Sequence, residues 1–183
     1  DGYPISGPDN QDIYVVDKGT QQVVKVNATS NMRSSGFGKL SGMAMSPRVD
    51  TSRGIYVADA LNNAIYQLDN TLNPVTGGSF DEDGKLNPEV FDVFYDDDGD
   101  PDTPMVREEK DINQPMGMHL EVRNGNEYLY IADYGNNRII SILLSNQGID
   151  ASKVYSDISI TKPVDVAVYD KDAVMYVLTE EGK

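Results

Sequence analysis

Tyr130-Ile131-Ala132-Asp133-Tyr134-Gly135-Asn136-Asn137-Arg138-Ile139 decides how the rest of the chain is read. A short run of β-formers ends in an aspartate, a polar turn with Gly and paired Asn follows, and a second run begins at Arg138. Val, Ile and Tyr suit a pleated, half-buried surface, while Asn and Gly accept the left-handed backbone of a tight turn. The stretch reads as strand, turn, strand. Its frame recurs at Ile55-Tyr56-Val57-Ala58-Asp59, at Ile13-Tyr14-Val15-Val16-Asp17 and at Met175-Tyr176-Val177-Leu178-Thr179.

Working outward, a second shared run precedes three of the four. It is Ser41-Gly42-Met43-Ala44-Met45, then Pro115-Met116-Gly117-Met118-His119-Leu120, then Pro163-Val164-Asp165-Val166-Ala167-Val168. A third run follows the first three frames, at Val23–Val26, Ala64–Leu68 and Arg138–Ile142. The anchor tyrosines Tyr14, Tyr56, Tyr130 and Tyr176 stand 42, 74 and 46 residues apart. Two of these intervals fit a period of about 40–50 residues, the length of a propeller blade or a solenoid repeat. No window sustains the i, i+3, i+4, i+7 spacing of a helix. The fold class expected is all-β.

Ile55-Tyr56-Val57-Ala58-Asp59-Ala60-Leu61-Asn62-Asn63-Ala64-Ile65 and the stretch from Tyr130 to Ile139 closely resemble NHL repeats, and Pro115-Met116-Gly117-Met118 is similar to the strand that precedes them in that family. The resemblance covers most of the chain outside residues 79–110. It implies a β-propeller, usually six blades of four strands. The first repeat departs from it, with Lys18-Gly19-Thr20-Gln21-Gln22 where the Asn pair would sit. A six-bladed ring would need about 260 residues at the usual blade length. The 183 residues, read as one domain, supply roughly four registers. The expectation is an incomplete ring, either a segment of a larger propeller or one completed by further copies or chains; a compact four-bladed ring is the alternative. Unclosed blades would leave exposed edges and an uncovered apolar face.

Composition narrows the function. Thirty acidic and 15 basic residues give a net charge of −15, against the clustered Lys and Arg that nucleic-acid binding requires. Apolar runs such as Ile142-Leu143-Leu144 are far too short to span a bilayer as a helix. With no cysteine there is no disulfide, thiolate zinc site or cysteine nucleophile. Hydrophobic residues make up 39%, enough for a folded core. The chain opens at Asp1 with neither a charged n-region nor an apolar h-region. An extracellular or cell-surface location is expected, and Asn27-Ala28-Thr29 could then carry a glycan.

Residues 79–110 break the repeat. They hold 12 acids and 3 bases, so most of the negative charge is local. Within them Asp96, Asp98, Asp100 and Asp102 alternate around Gly99. Calcium takes six to eight hard oxygens, which carboxylates of one flexible loop can supply, whereas magnesium insists on octahedral geometry and retained water. These four aspartates are the candidate calcium ligands. An EF-hand is not supported, because Pro101 occupies the glycine position of that loop. A solvated acidic hairpin that binds nothing is the competing reading.

Catalytic motifs are sparse. The single histidine, His119, lies among apolar residues of a first strand, where packing is the plainer explanation. No Gly-x-Ser-x-Gly elbow exists, and Ser35–Gly42 misses the dinucleotide fingerprint. Asp59 and Asp133 recur with the repeat and read as turn caps, Arg138 as the partner of a nearby acid, and the tyrosines as a packing layer. Met43, Met45, Met116 and Met118 read as core fillers on first strands. Two function classes remain. One is a non-catalytic binding or scaffolding propeller for a protein or carbohydrate ligand, with calcium stabilising the loop or mediating assembly. The other, implied by the resemblance to related propeller families, is part of a calcium-dependent enzyme such as a lactonase, an amidating lyase or a quinone sugar dehydrogenase.

Overall fold

The computed structural model describes residues 13–26, 31–46, 54–73, 112–145, 148–169 and 174–181. Among these residues every regular element is a strand except one 3-10 turn at Tyr134–Asn136. The strands are β1 (Ile13–Asp17), β2 (Gln22–Val26), β3 (Asn31–Ser34), β4 (Leu40–Met45), β5 (Ile55–Asp59), β6 (Ala64–Leu68), β7 (Pro115–Arg123), β8 (Asn126–Asp133), β9 (Arg138–Ser145), β10 (Gly148–Ser159), β11 (Pro163–Tyr169) and β12 (Val174–Thr179).

They form four antiparallel meanders in which each strand pairs only with its neighbours in sequence: β1-β2-β3, β4-β5-β6, β7-β8-β9-β10 and β11-β12. We number these blades 1 to 4. The first strands of successive blades meet side by side, β4 against β7 and β7 against β11. The architecture is all-β and propeller-like, as the repeat spacing predicts.

The period-2 alternation of a strand explains the stacking. In β5, Ile55 and Val57 enter a core shared with Val23, Tyr14 and Val16 of blade 1. The intervening Tyr56 and Ala58 enter a core shared with Leu129, Ile131, Ile140 and Ile142 of blade 3. Blade 3 repeats the device, sending Tyr130 and Ala132 towards Val166, Met175 and Val177 of blade 4. The hydrophobic core is therefore three layers between blades, which is why β5 and β6 are buried on both faces. The four methionines of β4 and β7 all pack into these layers, as expected.

The first strands of blades 2, 3 and 4 each carry an irregularity near the start, between Leu40 and Gly42, between Pro115 and Met118, and between Pro163 and Asp165. Such bulges re-aim a strand where neighbours crowd. The crowding is direct. A Cβ on Gly42 would lie 2.3 Å from the Met116 carbonyl oxygen, so only glycine admits the next blade there.

Ile13 and Val15 on blade 1, and Tyr176 and Leu178 on blade 4, are exposed.

Candidate functional site

The recurring acids are built into joints. Asp59 ends β5 and is fully buried. Its carboxylate accepts hydrogen bonds from the backbone N–H of Gly38 (2.6 Å) and Lys39 (2.8 Å), from those of Leu61 and Asn62 (both 3.1 Å), and from Asn62 Nδ2 (2.9 Å). One side chain thus holds both the entry to β4 and the turn after β5. Asp133 repeats the arrangement, accepting from Asn113 N (2.8 Å), Asn136 Nδ2 (2.8 Å) and Arg138 Nε (2.6 Å). Arg138 in turn reaches Asp157 on β10 at 3.0 Å. Burial pushes the Asp133 carboxyl above its usual range, against the pull of these donors. Asp17 caps the first turn through Gly19 N and Thr20 N, and the Thr20 hydrogen bond holds its carboxyl below the usual range.

Four residues after each aspartate comes a residue with left-handed backbone, Gln21 (φ 55°), Asn63 (φ 53°) and Asn137 (φ 54°). Its side-chain oxygen accepts from the next blade: Leu40 N onto Gln21 (2.5 Å), Gln114 N onto Asn63 (2.9 Å) and Lys162 N onto Asn137 (3.1 Å). The donor sits one residue earlier in the later two blades because Pro115 and Pro163 have no N–H. Gln21, which breaks the Asn pattern in sequence, performs the same office one methylene longer. These joints are structural.

What does not repeat is concentrated at one inner edge. Ala44, His119 and Ala167 each pair opposite an anchor tyrosine, Tyr56, Tyr130 and Tyr176 respectively. The position is alanine in blades 2 and 4 and histidine in blade 3. Asp165 likewise occupies the register position of Gly42 and Gly117, two residues into its strand. Its carboxylate lies against Gly117, where a Cβ would come within 2.0 Å of Oδ1, and it accepts from Val166 N at 2.9 Å. Glu121 follows His119 on the same face of β7 and is buried. Its Oε2 has no hydrogen-bond partner and stands 4.0 Å from Arg123 Nη2.

Burial pushes the half-buried His119 imidazole below its usual range, while Glu121 and Asp165 both pull it upward. The imidazole thus lies within electrostatic reach of two carboxylates, one on β7 and one on β11. Such a group accepts or donates one proton, and the carboxylates accept hydrogen bonds from hydroxyls or cationic groups. Glu121 and Asp165 were missed because neither recurs; the readable signal was their departure from the repeat. Among the described residues no three of His, Asp and Glu converge closely enough to hold a metal ion. Asp96, Asp98, Asp100 and Asp102 lie outside the described residues.

No protein-family model matches the chain. No curated protein matches it either. Among solved structures the chain is similar to one described as a streptogramin B lyase structure, with 14% identity over 98% of this chain and 51% of that one, at a TM-score of 0.48. The chain therefore spans about half the length of that structure. So distant a likeness carries no weight for activity, and the fold rests on the sheets themselves.

Proposed function

We propose that the chain is an NHL-like propeller segment that works as a non-catalytic binding or scaffolding module. It takes a protein or carbohydrate ligand at the inner edge between blades 3 and 4. One observation carries this reading: the repeating acids Asp59 and Asp133 are committed to joints, whereas His119, Glu121 and Asp165 leave the repeat together at one seam. Residues that abandon a packing register at a single place serve something other than packing. Two carboxylates and an imidazole suit sugar hydroxyls or a cationic peptide side chain.

The acidic stretch 79–110 adds calcium to this proposal, with Asp96, Asp98, Asp100 and Asp102 as ligands. Extracellular modules bind calcium weakly, with Kd of roughly 10⁻⁴–10⁻³ M, which fits a loop of this kind at the cell surface. Calcium titration during thermal unfolding tests it, since an ion bound only to the native state raises Tm by mass action. An unchanged Tm in millimolar calcium contradicts the loop assignment.

The ligand reading is tested by following backbone amide NMR signals during titration with neutral oligosaccharides and with lysine-rich peptides. Shifts centred on His119, Glu121 and Asp165, lost in Asp165→Ala, are expected. Shifts that cluster elsewhere would move the site.

A second reading, part of a calcium-dependent propeller enzyme, is favoured by His119 alone. An imidazole kept neutral beside two acids has the character of a general base. Lactone hydrolysis in calcium that is abolished by His119→Gln would favour this reading over the binding module.

A further inference from the structure

We propose that the group taken at the seam between blades 3 and 4 is a cationic peptide side chain, and that it competes with a proton for the place beside His119. This inference rests on the ligand reading above and selects one of its two ligand classes. His119, Glu121 and Arg123 are spaced two apart on β7, in unbroken register with Tyr130, Tyr128 and Asn126. They therefore share one face of the strand. That face turns to blade 4. The alternate residues Met118 and Leu120 enter the core shared with blade 2, whereas Tyr130 and Tyr128 enter the core shared with blade 4. Asp165 arrives from β11 with its carboxylate against Gly117. Exposure falls through the group, from exposed Asp165 and half-buried His119 to Glu121 at 7%.

The charges at this seam do not balance. Glu121 and Asp165 bring two negative charges, and Arg123 brings one positive charge 4.0 Å from Glu121 Oε2. With the imidazole neutral, the seam is one positive charge short. Among the described residues, the other elements packed against β7 do not supply it. β4 holds no charged residue, and Asp59 of β5 and Asp133 of β8 are committed to their joints. Glu127 of β8 turns to blade 2 and accepts from Ser46 Oγ at 2.8 Å. Glu121 is an independent sign of the gap, more than nine-tenths buried with no hydrogen-bond donor to Oε2. An ammonium or guanidinium supplies both the donor and the charge, whereas a sugar hydroxyl supplies the donor alone. Only one added positive charge is balanced here, so a proton on His119 and a cation beside it repel. Burial weakens the hold of His119 on its proton, which leaves the place open to the ligand near neutral pH. Below the ordinary imidazole value of about 6.5 the proton takes it.

His119 is the only histidine of the chain, so imidazole NMR signals report on it directly. The full chain is titrated at pH 7.5 and pH 5 with a lysine-rich peptide, with the same peptide acetylated on its lysines, and with a neutral oligosaccharide. The lysine-rich peptide should bind at the seam at least about fivefold more weakly at pH 5, the lower end of ordinary coupling between two ligands. By reciprocity it should lower the measured His119 pKa by about 0.7 or more. His119→Gln should bind the peptide alike at both pH values. Glu121→Gln and Asp165→Ala should each weaken binding about tenfold at pH 7.5, and the exposed Asp165 carries the test if Glu121→Gln fails to fold. Equal binding of the acetylated peptide or the oligosaccharide at the seam overturns this inference and leaves the ligand reading standing. Peptide affinity that ignores pH in the wild type does the same. Binding that survives Glu121→Gln and Asp165→Ala belongs to the acidic surface at large and also overturns it. No shift at the seam with any of the three probes overturns both.

Discussion

Blades 2 and 4 are written in the same register and live in different surroundings. Tyr56 and Tyr176 follow the same strand rule and face the same way, yet Tyr56 is 2% exposed and Tyr176 is 64% exposed. Gly42 of blade 2 is pressed by the backbone of β7, while Asp165 of blade 4 fits a side chain into the corresponding place. Asp59 pairs opposite Leu40 and pins five donors; Thr179 pairs opposite Pro163 in its stead. The strand period determines which way a residue points. The neighbouring blade determines how much free energy that direction contributes.

The sharpest way to break this comparison is to truncate both tyrosines. Tyr56→Ala should destabilise the chain by about 3–5 kcal/mol, the range for deleting a buried aromatic side chain. Tyr176→Ala should stay within about 0.5 kcal/mol at dilution. Chemical denaturation of the two variants measures the contrast, and similar losses would mean that the two faces are not what they appear.

A slightly smaller contrast separates Asp59→Ala from Thr179→Ala. Removing the Asp59 carboxylate strands buried backbone donors at about 1–3 kcal/mol each. A total near 3 kcal/mol or more is expected, with less than about 1 kcal/mol for Thr179→Ala. Gly42→Ala comes next, at about 1–3 kcal/mol, because β7 would have to retreat from the added methyl group. Asp165→Ala, at the equivalent place in blade 4, should not show that overpacking loss.

The smallest effect is in pH. His119 has a lowered pKa through burial, so the unfolded chain binds its proton more readily than the native state does. Stability from this group is complete above the unfolded value of about 6.5 and is lost as pH falls below it. Wild type should therefore weaken more than His119→Gln between neutral pH and pH 5, a difference readable in parallel melts. Asp133 has the opposite sign. Its raised pKa means that the native state holds the proton more tightly, so its contribution improves as pH falls towards about 3.8.

Much of the fold was legible in sequence because blades repeat and repetition exposes register. Ile13-Tyr14-Val15-Val16-Asp17 and its three counterparts became β1, β5, β12 and the end of β8, and the polar turns fell where Asn and Gly permit them. The joints were half legible. Asp59 and Asp133 were readable as caps, but their bonds to Gly38, Lys39 and Asn113 cross about 20 residues and leave no local pattern. Gln21 was hidden for a simpler reason, since a longer amide fills the office of Asn63 and Asn137 without matching them. The inner-edge group was the least legible. His119 was visible, but Asp165 came to it only when β11 was laid beside β7.

The central claim is that one strand rule sets direction while adjacency sets burial. Hydroxyl-radical footprinting of the tyrosines, read by peptide mapping, tests it most directly. The account predicts rapid modification of Tyr176 and Tyr169 with Tyr56 and Tyr130 protected. Equal modification of Tyr56 and Tyr176 would contradict it.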